Sequence, residues 1–553
     1  MNIPFARLLL ILALAGITLL NAAKQPERPN LILILTDDQR QDTLGCTGNE
    51  IVKTPYIDRL ASEGTLFTQA TVTSAICTPS RASFFSGMHE RNHGINFNSG
   101  TSMSSAAWEQ CYPMLLKHAG YFTGYIGKNH VPVGGSGHSS GVMEATFDYW
   151  YAGHGHLGFY PKERGEANFF IKGMDETMFS NAREDTQTEI LEEGMVNFLT
   201  PNEDFYDKAA RFLRTRPDDR PFCLSISFNL PHDAGTQSMQ MRDSDRELYK
   251  SAYRDKYREI LAGLPETYVA KEDIEDPKLP GDVLLAELRQ HGYDYVDEPE
   301  TLVERITRRY QAIEGIDRLV GTLRDQLEKE GLAENTIIIF SSDHGIFRGE
   351  FGLGGKSMNY DPCLRVPMIV YDPASPARGQ VRDEAVQSID VTATLLDYAG
   401  LEVPEHMTGK SMKPMVNGID TSWRTYAFSE ALWCTAFGMP RVESVRGDGW
   451  KYIRYFKVDR SLFDPEAKGI ELYQVSNEQA TAYQNWLTAS IDGQPPDYEE
   501  LFYLRTDPDE RTNLAANPEY RLKLEELRAV CQQMVTEARG EPFPVVDLTS
   551  FNQ

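Results

Sequence analysis

Basic residues are few in this sequence relative to acidic ones. Lysine and arginine together number 55, against 81 aspartates and glutamates, so the formal net charge is −26. We expect no nucleic-acid partner, because a polyanionic backbone would be repelled by such a chain. The same deficit means that any site for an anionic substrate must create its own local positive field.

Cysteine is also scarce. Its seven positions are scattered along 553 residues, without a CxxC pair or a dense framework. An odd number of cysteines in an exported protein leaves at least one of them unpaired or chemically modified. We assign that position to Cys77.

Long hydrophobic runs are absent from the sequence except near its start. Residues 8–20 are apolar, follow Arg7 and precede a plausible cleavage site at residues 21–23. Because this run is short for a bilayer, we expect residues 1–23 to be a signal peptide and no stable membrane insertion. A retained membrane anchor is the alternative. A signal peptide predicts export, either periplasmic or secreted, or lumenal in a eukaryote.

The sequence contains no internal repeats or low-complexity segments, and its length exceeds what one compact core usually organises. Continuous apolar runs at residues 30–36 and 336–340 predict central parallel strands that are buried on both faces. After about residue 420, short strands alternate with turns, and a final helix is predicted at residues 518–539. We therefore predict an α/β fold with a large mixed sheet between helices and a smaller C-terminal α+β domain. The predicted boundaries are a signal peptide at 1–23, a large domain at 24–420 and an antiparallel-sheet-plus-helix subdomain at 421–553.

Two long segments lack clear periodicity. Residues 135–205 are rich in glycine, histidine and aromatic residues, which is typical of a binding loop. His154 and His156 within it are candidates to bind a metal or substrate, and ordinary surface histidines are the alternative. Residues 243–299 are charged and loosely patterned, and we predict that they form an insertion on the outside of the domain.

Acidic side chains follow two of the predicted strands at their carboxyl ends, where open α/β sheets bind ligands. Asp37 and Asp38 follow the first strand, and Asp343 and His344 follow the strand at 336–340. Carboxylates brought together repel each other unless a hard divalent cation such as Ca²⁺ or Mg²⁺ compensates them. A zinc site would use more histidine and cysteine. Asp pairs also cap turns, so the prediction of a metal site depends on the strand ends meeting.

Further charged residues follow the other predicted strands. Lys128 and His130 follow one strand, His232 follows another, and Lys356 lies in a glycine-rich loop. Each alone is a weak signal. Together they add cations and two histidines to the carboxylates, and these are the groups that an active site needs.

A short helix is predicted directly after Cys77. Pro79 suits its first turn, and Gly87 suits the left-handed residue that follows its end. A helix N-terminus favours an anion, and Arg81 adds a positive charge one turn further on. Cys77 is therefore a candidate reactive thiol, and a buried cysteine before an ordinary helix is the alternative.

The string Cys77-Thr78-Pro79-Ser80-Arg81, followed by Gly87, resembles the signature of the formylglycine-dependent (type I) sulfatases of the alkaline phosphatase-like superfamily. The resemblance extends from residue 30 through the C-terminal helix. It implies the alkaline phosphatase-like fold. It also implies that a maturation enzyme oxidises Cys77 to formylglycine (3-oxoalanine).

The same resemblance implies a bound Ca²⁺, with Mg²⁺ as the alternative. Its implied ligands are Asp37, Asp38, the modified residue at position 77, Asp343 and His344. The family often has asparagine where this sequence has His344.

The resemblance also implies a mechanism, in which one hydroxyl of the hydrated aldehyde attacks the sulfur of a sulfate ester. Arg81, Lys128 and Lys356, together with the metal, stabilise charge on the sulfuryl oxygens. His232, assisted by Lys356, protonates the leaving alcohol. His130 accepts the proton of the second hydroxyl as sulfate is expelled.

The expected function is that of an exported sulfatase acting on a sulfated carbohydrate, such as a polysaccharide or a glycosaminoglycan fragment. The aromatic-rich residues 147–160 suit stacking on sugar rings. A phosphate or phosphonate ester hydrolase of the same superfamily is the alternative enzyme. A secreted carbohydrate-binding protein with a degenerate site is the alternative without catalysis.

Overall fold

The computed structural model describes residues 28–97, 101–135, 140–153, 160–161, 208–232, 252–284, 293–433, 439–459 and 477–540. The predicted signal peptide, His154, His156 and Cys434 lie outside these ranges. None of the helices within them is long and apolar enough to cross a membrane. The six cysteines that the structure describes are all free. An odd cysteine count therefore does not by itself single out Cys77.

Within the described residues, the strands form one large sheet, one smaller sheet and a short two-stranded ribbon. In chain order they are β1 (Asn30–Asp37), β2 (Thr65–Phe67), β3 (Phe122–Lys128), β4 (Tyr149–Gly153), β5 (Tyr160–Pro161), β6 (Phe222–Pro231), β7 (Thr336–Ser342), β8 (Phe347–Arg348), β9 (Gly354–Gly355), β10 (Met368–Tyr371), β11 (Gln380–Arg382), β12 (Tyr426–Ala431), β13 (Arg441–Gly447), β14 (Trp450–Phe456) and β15 (Tyr498–Tyr503).

The α-helices of the described residues lie mostly between these strands. In chain order they are α1 (Pro55–Glu63), α2 (Cys77–Ser86), α3 (Glu90–His93), α4 (Ser105–Trp108), α5 (Tyr112–His118), α6 (Val142–Thr146), α7 (Lys208–Thr215), α8 (Tyr257–Ala262), α9 (Pro299–Lys329), α10 (Asp361–Leu364), α11 (Ser388–Tyr398), α12 (Lys413–Val416), α13 (Asn477–Ala489) and α14 (Arg521–Arg539).

Nine of the described strands form the large sheet, in the order β11-β2-β10-β7-β1-β6-β3-β4-β5. Its centre is parallel: β1 lies between β7 and β6, and β3 pairs with β6 and β4. β10 runs antiparallel to both β7 and β2, so the sheet is mixed. Because the central strands are parallel, their carboxyl ends meet at one edge of the sheet.

Both faces of this sheet are covered by helices. Leu33 and Leu35 of β1 belong to the same buried cluster as Phe84 of α2, whereas Ile34 belongs to a second cluster with Ile313 of α9. Alternate side chains of a strand point to opposite faces, so β1 is buried on both. Each fully buried side chain of this kind contributes roughly 1.5–3 kcal/mol to stability. The predicted large mixed sheet between helices is confirmed.

The long helix α9 has a regular apolar pattern in its sequence. Apolar side chains three or four residues apart form one face, which packs onto the sheet. The members of this face are all buried: Leu302, Ile306, Tyr310, Ile313, Ile316, Leu319 and Leu323.

The smaller sheet is antiparallel in the order β12-β13-β14-β15. Helix α14 covers one face of it, with Leu527 and Cys531 packed against Phe428 and Tyr452. This confirms the predicted C-terminal sheet with a covering helix. The helix α13 was not predicted, and the boundary at residue 421 stays a prediction.

Two expectations about the irregular segments are wrong in part. Most of residues 252–284 are exposed or half-buried, as an outer insertion would be. Phe147 and Trp150 are core residues rather than sugar-stacking side chains: Trp150 is 1% exposed and stacks on Tyr125 with ring centroids 5.6 Å apart. The end of the predicted outer insertion, from Tyr293, packs inward as well, and Tyr293 and Val296 are buried. Phe147, Trp150 and Tyr293 therefore fill the core of the large domain.

Candidate active site

The predicted site residues lie at the carboxyl edge of the large sheet. Asp37 ends β1, Lys128 ends β3, His232 follows β6 directly, and Asp343 follows β7. β1, β3, β6 and β7 are neighbours in the parallel centre of the sheet. The register of these strands therefore brings together side chains that are far apart in the sequence.

Helix α2 supplies the residue at the centre of this group. Cys77 is its first residue and is 1% exposed, and Gly87 follows its end with φ 67°. The ligand atoms of Asp37, Cys77, Asp343 and His344 all lie within 4.8 Å of one another. The hydroxyl of Ser80 donates a hydrogen bond of 2.5 Å to the carbonyl oxygen of Asp343, which ties α2 to the end of β7.

Two buried lysines flank the cysteine. Nζ of Lys356 lies 3.4 Å from Sγ of Cys77 and 2.8 Å from Oδ1 of Asp38. Nζ of Lys128 donates to Oδ2 of Asp37. Burial would raise the pKa of the Cys77 thiol, but the charges of Lys128 and Lys356 outweigh it and lower the pKa to about 6. The site therefore stabilises negative charge at position 77.

Arg81 contacts two of the carboxylates, those of Asp37 and Asp343. Its Nε donates to Oδ2 of Asp343 at 2.8 Å, and its Nη2 donates to Oδ2 of Asp37 at 2.9 Å. Nη1 donates to the carbonyl oxygen of Lys128 at 3.0 Å, and Nη2 also donates to that of Phe228 at 3.2 Å. In this geometry Arg81 positions the carboxylates. Its predicted contact with a sulfuryl oxygen stays a prediction.

The carboxylates of Asp37 and Asp343 titrate differently. Burial opposes ionisation of Asp37, but Lys128 and Arg81 hold its pKa well below the usual range. Burial and the neighbouring charge of Asp37 raise the pKa of Asp343 to about 6. A second carboxylate is thus costly to ionise beside the first, and a divalent cation between them would remove that cost.

Unused acceptor atoms show that this group suits a hard cation. Among the described residues, Oδ1 of Asp37, Oδ2 of Asp38 and Nε2 of His344 are buried without a hydrogen-bond partner. Nδ1 of His344 lies 2.9 Å from the carbonyl oxygen of Gly345, which can only accept, so the ring keeps its lone pair on Nε2 when it is neutral. Carboxylate oxygens with one imidazole are a suitable ligand set for Ca²⁺ or Mg²⁺.

The two predicted acid–base histidines differ in their surroundings. His130 is buried, and burial together with the charge of Lys128 lowers its pKa well below the usual value, so its imidazole is neutral. Nε2 of His232 lies 3.9 Å from Oδ2 of Asp38. Asp38 and His130 have φ of 59° and 60°, in the left-handed region that is rare for residues other than glycine and is concentrated at functional sites.

Two further residues at the site were not predicted. Nη2 of Arg309 lies 3.6 Å from Oδ2 of Asp38, and its Nη1 donates to the carbonyl oxygen of Asp38 at 3.2 Å. The hydroxyl of Tyr293 lies 3.3 Å from Nε2 of His232. The sequence did contain a signal for Arg309, because a charged residue on the buried face of α9 indicates a specific partner. Tyr293 left no signal in its charged, loosely patterned segment.

Apart from position 77, the buried lysines and arginines described at the site outnumber its carboxylates. Four buried cations stand against three buried carboxylates: Arg81, Lys128, Arg309 and Lys356 against Asp37, Asp38 and Asp343. This is the local positive field that a protein of net charge −26 needs to bind an anionic substrate. The fold and the site together define a hydrolase of the alkaline phosphatase-like superfamily.

Comparison with known proteins identifies the family. The sulfatase family model matches residues 29–401, and the model for the C-terminal region of N-sulphoglucosamine sulphohydrolase matches residues 349–493. The chain belongs to the sulfatase family and is a sulfuric ester hydrolase.

Relatives of similar length support this. An arylsulfatase of Clostridium perfringens is 27% identical over 93% of this chain and 95% of its own. An N-acetylglucosamine-6-O-sulfatase of Bacteroides thetaiotaomicron is 26% identical over 93% of this chain and 94% of its own.

Solved structures share the fold. One is a complex with its substrate D-glucosamine-2-N,6-O-disulfate, with a TM-score of 0.61 and 22% identity over 93% of this chain and 99% of that one. A phosphonate monoester hydrolase of Agrobacterium radiobacter has a TM-score of 0.61 and 20% identity over 93% of this chain and 97% of its own. The fold is therefore common to sulfatases and phosphonate hydrolases.

Proposed function

We propose that this sulfatase is exported, carries formylglycine at position 77 beside a bound Ca²⁺, and removes sulfate from glycosaminoglycan-like carbohydrates. The observation that carries the proposal is the position of Cys77. Its Sγ lies among the ligand atoms of Asp37, Asp343 and His344 and 3.4 Å from Nζ of Lys356. A thiol kept only for packing would not need buried cations and carboxylates around it.

The chemistry follows from the groups around position 77. Formylglycine there would supply an aldehyde whose hydrate is a nucleophile, and Ca²⁺ held by Asp37, Asp38, Asp343 and His344 would supply a Lewis acid. Lys128 and Lys356 place positive charge where negative charge develops on the sulfuryl oxygens.

The other residues transfer protons or hold neighbouring side chains in position. Arg81 fixes Asp37 and Asp343 in place. His232 donates a proton to the leaving oxygen, and the neutral His130 is able to accept one. In an unmodified protein the same site would bind the sulfate ester without turnover.

The substrate class is supported by the relatives. One acts on N-acetylglucosamine 6-O-sulfate by its name, and a structure with the same fold was solved with a glucosamine disulfate. Export is supported by the predicted signal peptide at residues 1–23, and a glycan substrate outside the cell agrees with it. The buried positions of Phe147 and Trp150 mean that other side chains must contact the sugar.

Two measurements test the proposal. Mass spectrometry of the peptide containing residue 77, after co-expression with a formylglycine-generating enzyme, should show the aldehyde in place of the thiol. Purified protein should then release sulfate from members of a panel of sulfated glycans, and a Cys77→Ala variant should release none. A peptide that remains a thiol in an active enzyme would overturn the formylglycine assignment.

A phosphonate or phosphate ester hydrolase is the alternative outcome. The shared fold with a phosphonate monoester hydrolase makes this comparison necessary. Matched sulfate, phosphate and phosphonate esters of one phenol should give the highest kcat/KM with the sulfate. Faster turnover of a phosphorus ester would favour the alternative.

A further inference from the structure

Lys356 lies in a stretch of chain with little secondary structure of its own. Before it, β9 is two residues long and pairs with β8, which is equally short. After it, Ser357 has φ 75°, in the left-handed region, and its N–H donates to the carbonyl oxygen of Ala75 at 2.9 Å. A strained backbone of this kind keeps one geometry only when its surroundings fix it. The residues that fix this stretch therefore also determine where Lys356 lies.

Residues 359–361, which we call the anchor segment, join this stretch to the C-terminal sheet. Asn359 is fully buried. Its Nδ2 donates to the carbonyl oxygen of Ser429 on β12 and to Oγ of Ser444 on β13, both at 2.9 Å. Both hydrogens of one amide group are thus used on two neighbouring strands.

The other two residues of the anchor segment contact β13, β14 and β15. The hydroxyl of Tyr360 donates to Oε2 of Glu500 on β15 at 2.6 Å. The carboxylate of Asp361 accepts from Nε and Nη2 of Arg446 on β13, both at 2.9 Å, and from Nζ of Lys451 on β14 at 2.8 Å. Burial opposes ionisation of Asp361, but the charges of Arg446 and Lys451 hold its pKa below the usual range. All four described strands of the sheet therefore hold the segment.

We propose that the C-terminal sheet is a positioning element for Lys356, which it holds in place through the anchor segment. The proposal rests on the proposed function, in which Lys356 places positive charge beside the sulfuryl oxygens.

The need for such an element follows from the shape of a lysine side chain. Nζ of Lys356 lies 2.8 Å from Oδ1 of Asp38 and 3.4 Å from Sγ of Cys77. The ion pair with Asp38 fixes only the ammonium end of a flexible stem, so the backbone end must be fixed as well. A displacement of about 1 Å in an active site can lower the rate by about 10²-fold.

The test uses the formylglycine-containing, metal-loaded enzyme, with 4-nitrophenyl sulfate and the best glycan of the panel as substrates. Asn359→Ala and Asp361→Asn should each lower kcat by about tenfold, because Lys356 is no longer held at one position. In a Lys356→Met background the same two substitutions should cost nothing further, because the charge that they position is gone. Asn359→Ala changes no charge, so its effect is not a long-range electrostatic one.

Arg424→Met is the matched control. Arg424 lies just before β12 and pairs with Asp390 of α11, with two hydrogen bonds of 2.5 and 2.6 Å. It thus joins the same sheet to the large domain through a largely buried ion pair outside the anchor segment. Urea unfolding should show a loss of stability in Arg424→Met comparable to that in Asp361→Asn. Its kcat should equal that of the wild type.

Ser444→Ala provides a milder variant in case a substitution in the anchor segment prevents folding. It removes one of the two acceptors of Asn359 from the side of the sheet and leaves the anchor segment itself unchanged. We expect kcat to fall by about threefold, and again only in protein that retains Lys356.

The outcomes separate the two proposals. Unchanged kcat in the anchor variants, an additive loss in the Lys356→Met background, or an equal loss of kcat in Arg424→Met would overturn the role of the sheet while the sulfatase activity stands. Wild-type kcat in Lys356→Met would overturn the role of the lysine on which this inference rests. A wild-type enzyme that hydrolyses no sulfate ester would instead overturn the proposed function.

Discussion

Lys356 connects the reactive position to one of the predicted metal ligands. It contacts Cys77 on one side and Asp38 on the other, and it is 2% exposed. The charge of Asp38 raises its pKa well above the usual value although burial opposes this, so it stays a cation throughout the working pH range. A fixed cation in a dry site stabilises developing negative charge far more than one in water.

We expect Lys356→Met to lower kcat by about 10²–10³-fold, because a charge that faces the transferring sulfuryl group is lost. Lys329→Met, at an exposed position on α9, is the control and should match the wild type. Steady-state kinetics on an aryl sulfate measures both. Wild-type kcat in the Lys356 variant would place this lysine outside the chemistry.

A substitution at Asp343 tests the metal site directly. It is a candidate ligand, and Asp343→Asn removes the negative charge while keeping the shape of the side chain. We expect metal affinity to fall at least tenfold, measured as Ca²⁺ retained after dialysis by elemental analysis. Asp420→Asn, whose side chain is 97% exposed, is the control. Equal metal content in both variants would contradict the assignment.

At the scale of elements, β3 and β6 must lie close enough to present Lys128 and His232 together. Gly127 makes this approach possible: an added Cβ would lie 2.0 Å from the carbonyl oxygen of Ser227, and its φ is 99°. A larger residue cannot occupy that position without separating the two strands.

Gly127→Ala is therefore expected to lower the free energy of unfolding by roughly 2–4 kcal/mol. Gly48→Ala is a matched control, since Gly48 has the same φ of 99° but no atom within 4 Å of an added Cβ. It should cost only the left-handed strain of about 1 kcal/mol. Urea unfolding of both variants separates the steric clash from the backbone strain. Equal losses of unfolding free energy would mean that the close contact between the strands does not matter.

For the whole molecule, a buried ion network joins the large domain to the C-terminal sheet. Arg91 of α3 donates from Nε to Glu430 of β12 at 2.6 Å and from Nη2 to Glu443 of β13 at 2.6 Å. All three side chains are at most 2% exposed. Helix α3 follows α2 closely in the chain, so the network also anchors the region that carries Cys77.

Arg91→Met should destabilise the protein by about 3–5 kcal/mol, because two buried carboxylates lose their shared partner. Burial already raises the pKa of Glu430 against the opposing charge of Arg91. A carboxyl whose folded pKa exceeds its unfolded pKa destabilises the fold as pH rises between them, so the loss should be larger at pH 8 than at pH 5.

Chemical denaturation at the two pH values measures this loss. Arg528→Met is the control, since Arg528 pairs with Glu499 at the surface and is 47% exposed. Its effect should stay below about 1 kcal/mol at both pH values. A loss in the Arg91 variant that shrinks at high pH would contradict the argument.

Much of the fold could be predicted because hydrophobic periodicity depends on local sequence. β1, β7 and α9 have long apolar patterns that only a buried strand or an amphipathic helix satisfies. Phe147 and Trp150 were misassigned because aromatic residues in a loose segment look the same whether they bind sugar or fill a core. Tertiary packing alone distinguishes the two.

The sequence by itself determined the identity of the groups in the site, since Cys77, Asp37, Asp38 and Asp343 lie in short motifs whose chemistry is local. Only the tertiary structure decided what surrounds them. Arg81 contacts carboxylates from two strands, and Arg309 and Tyr293 reach the site from α9 and from an apparently external segment. The physical reason is that these contacts depend on strand order and helix packing, which join residues up to about 300 positions apart in the chain.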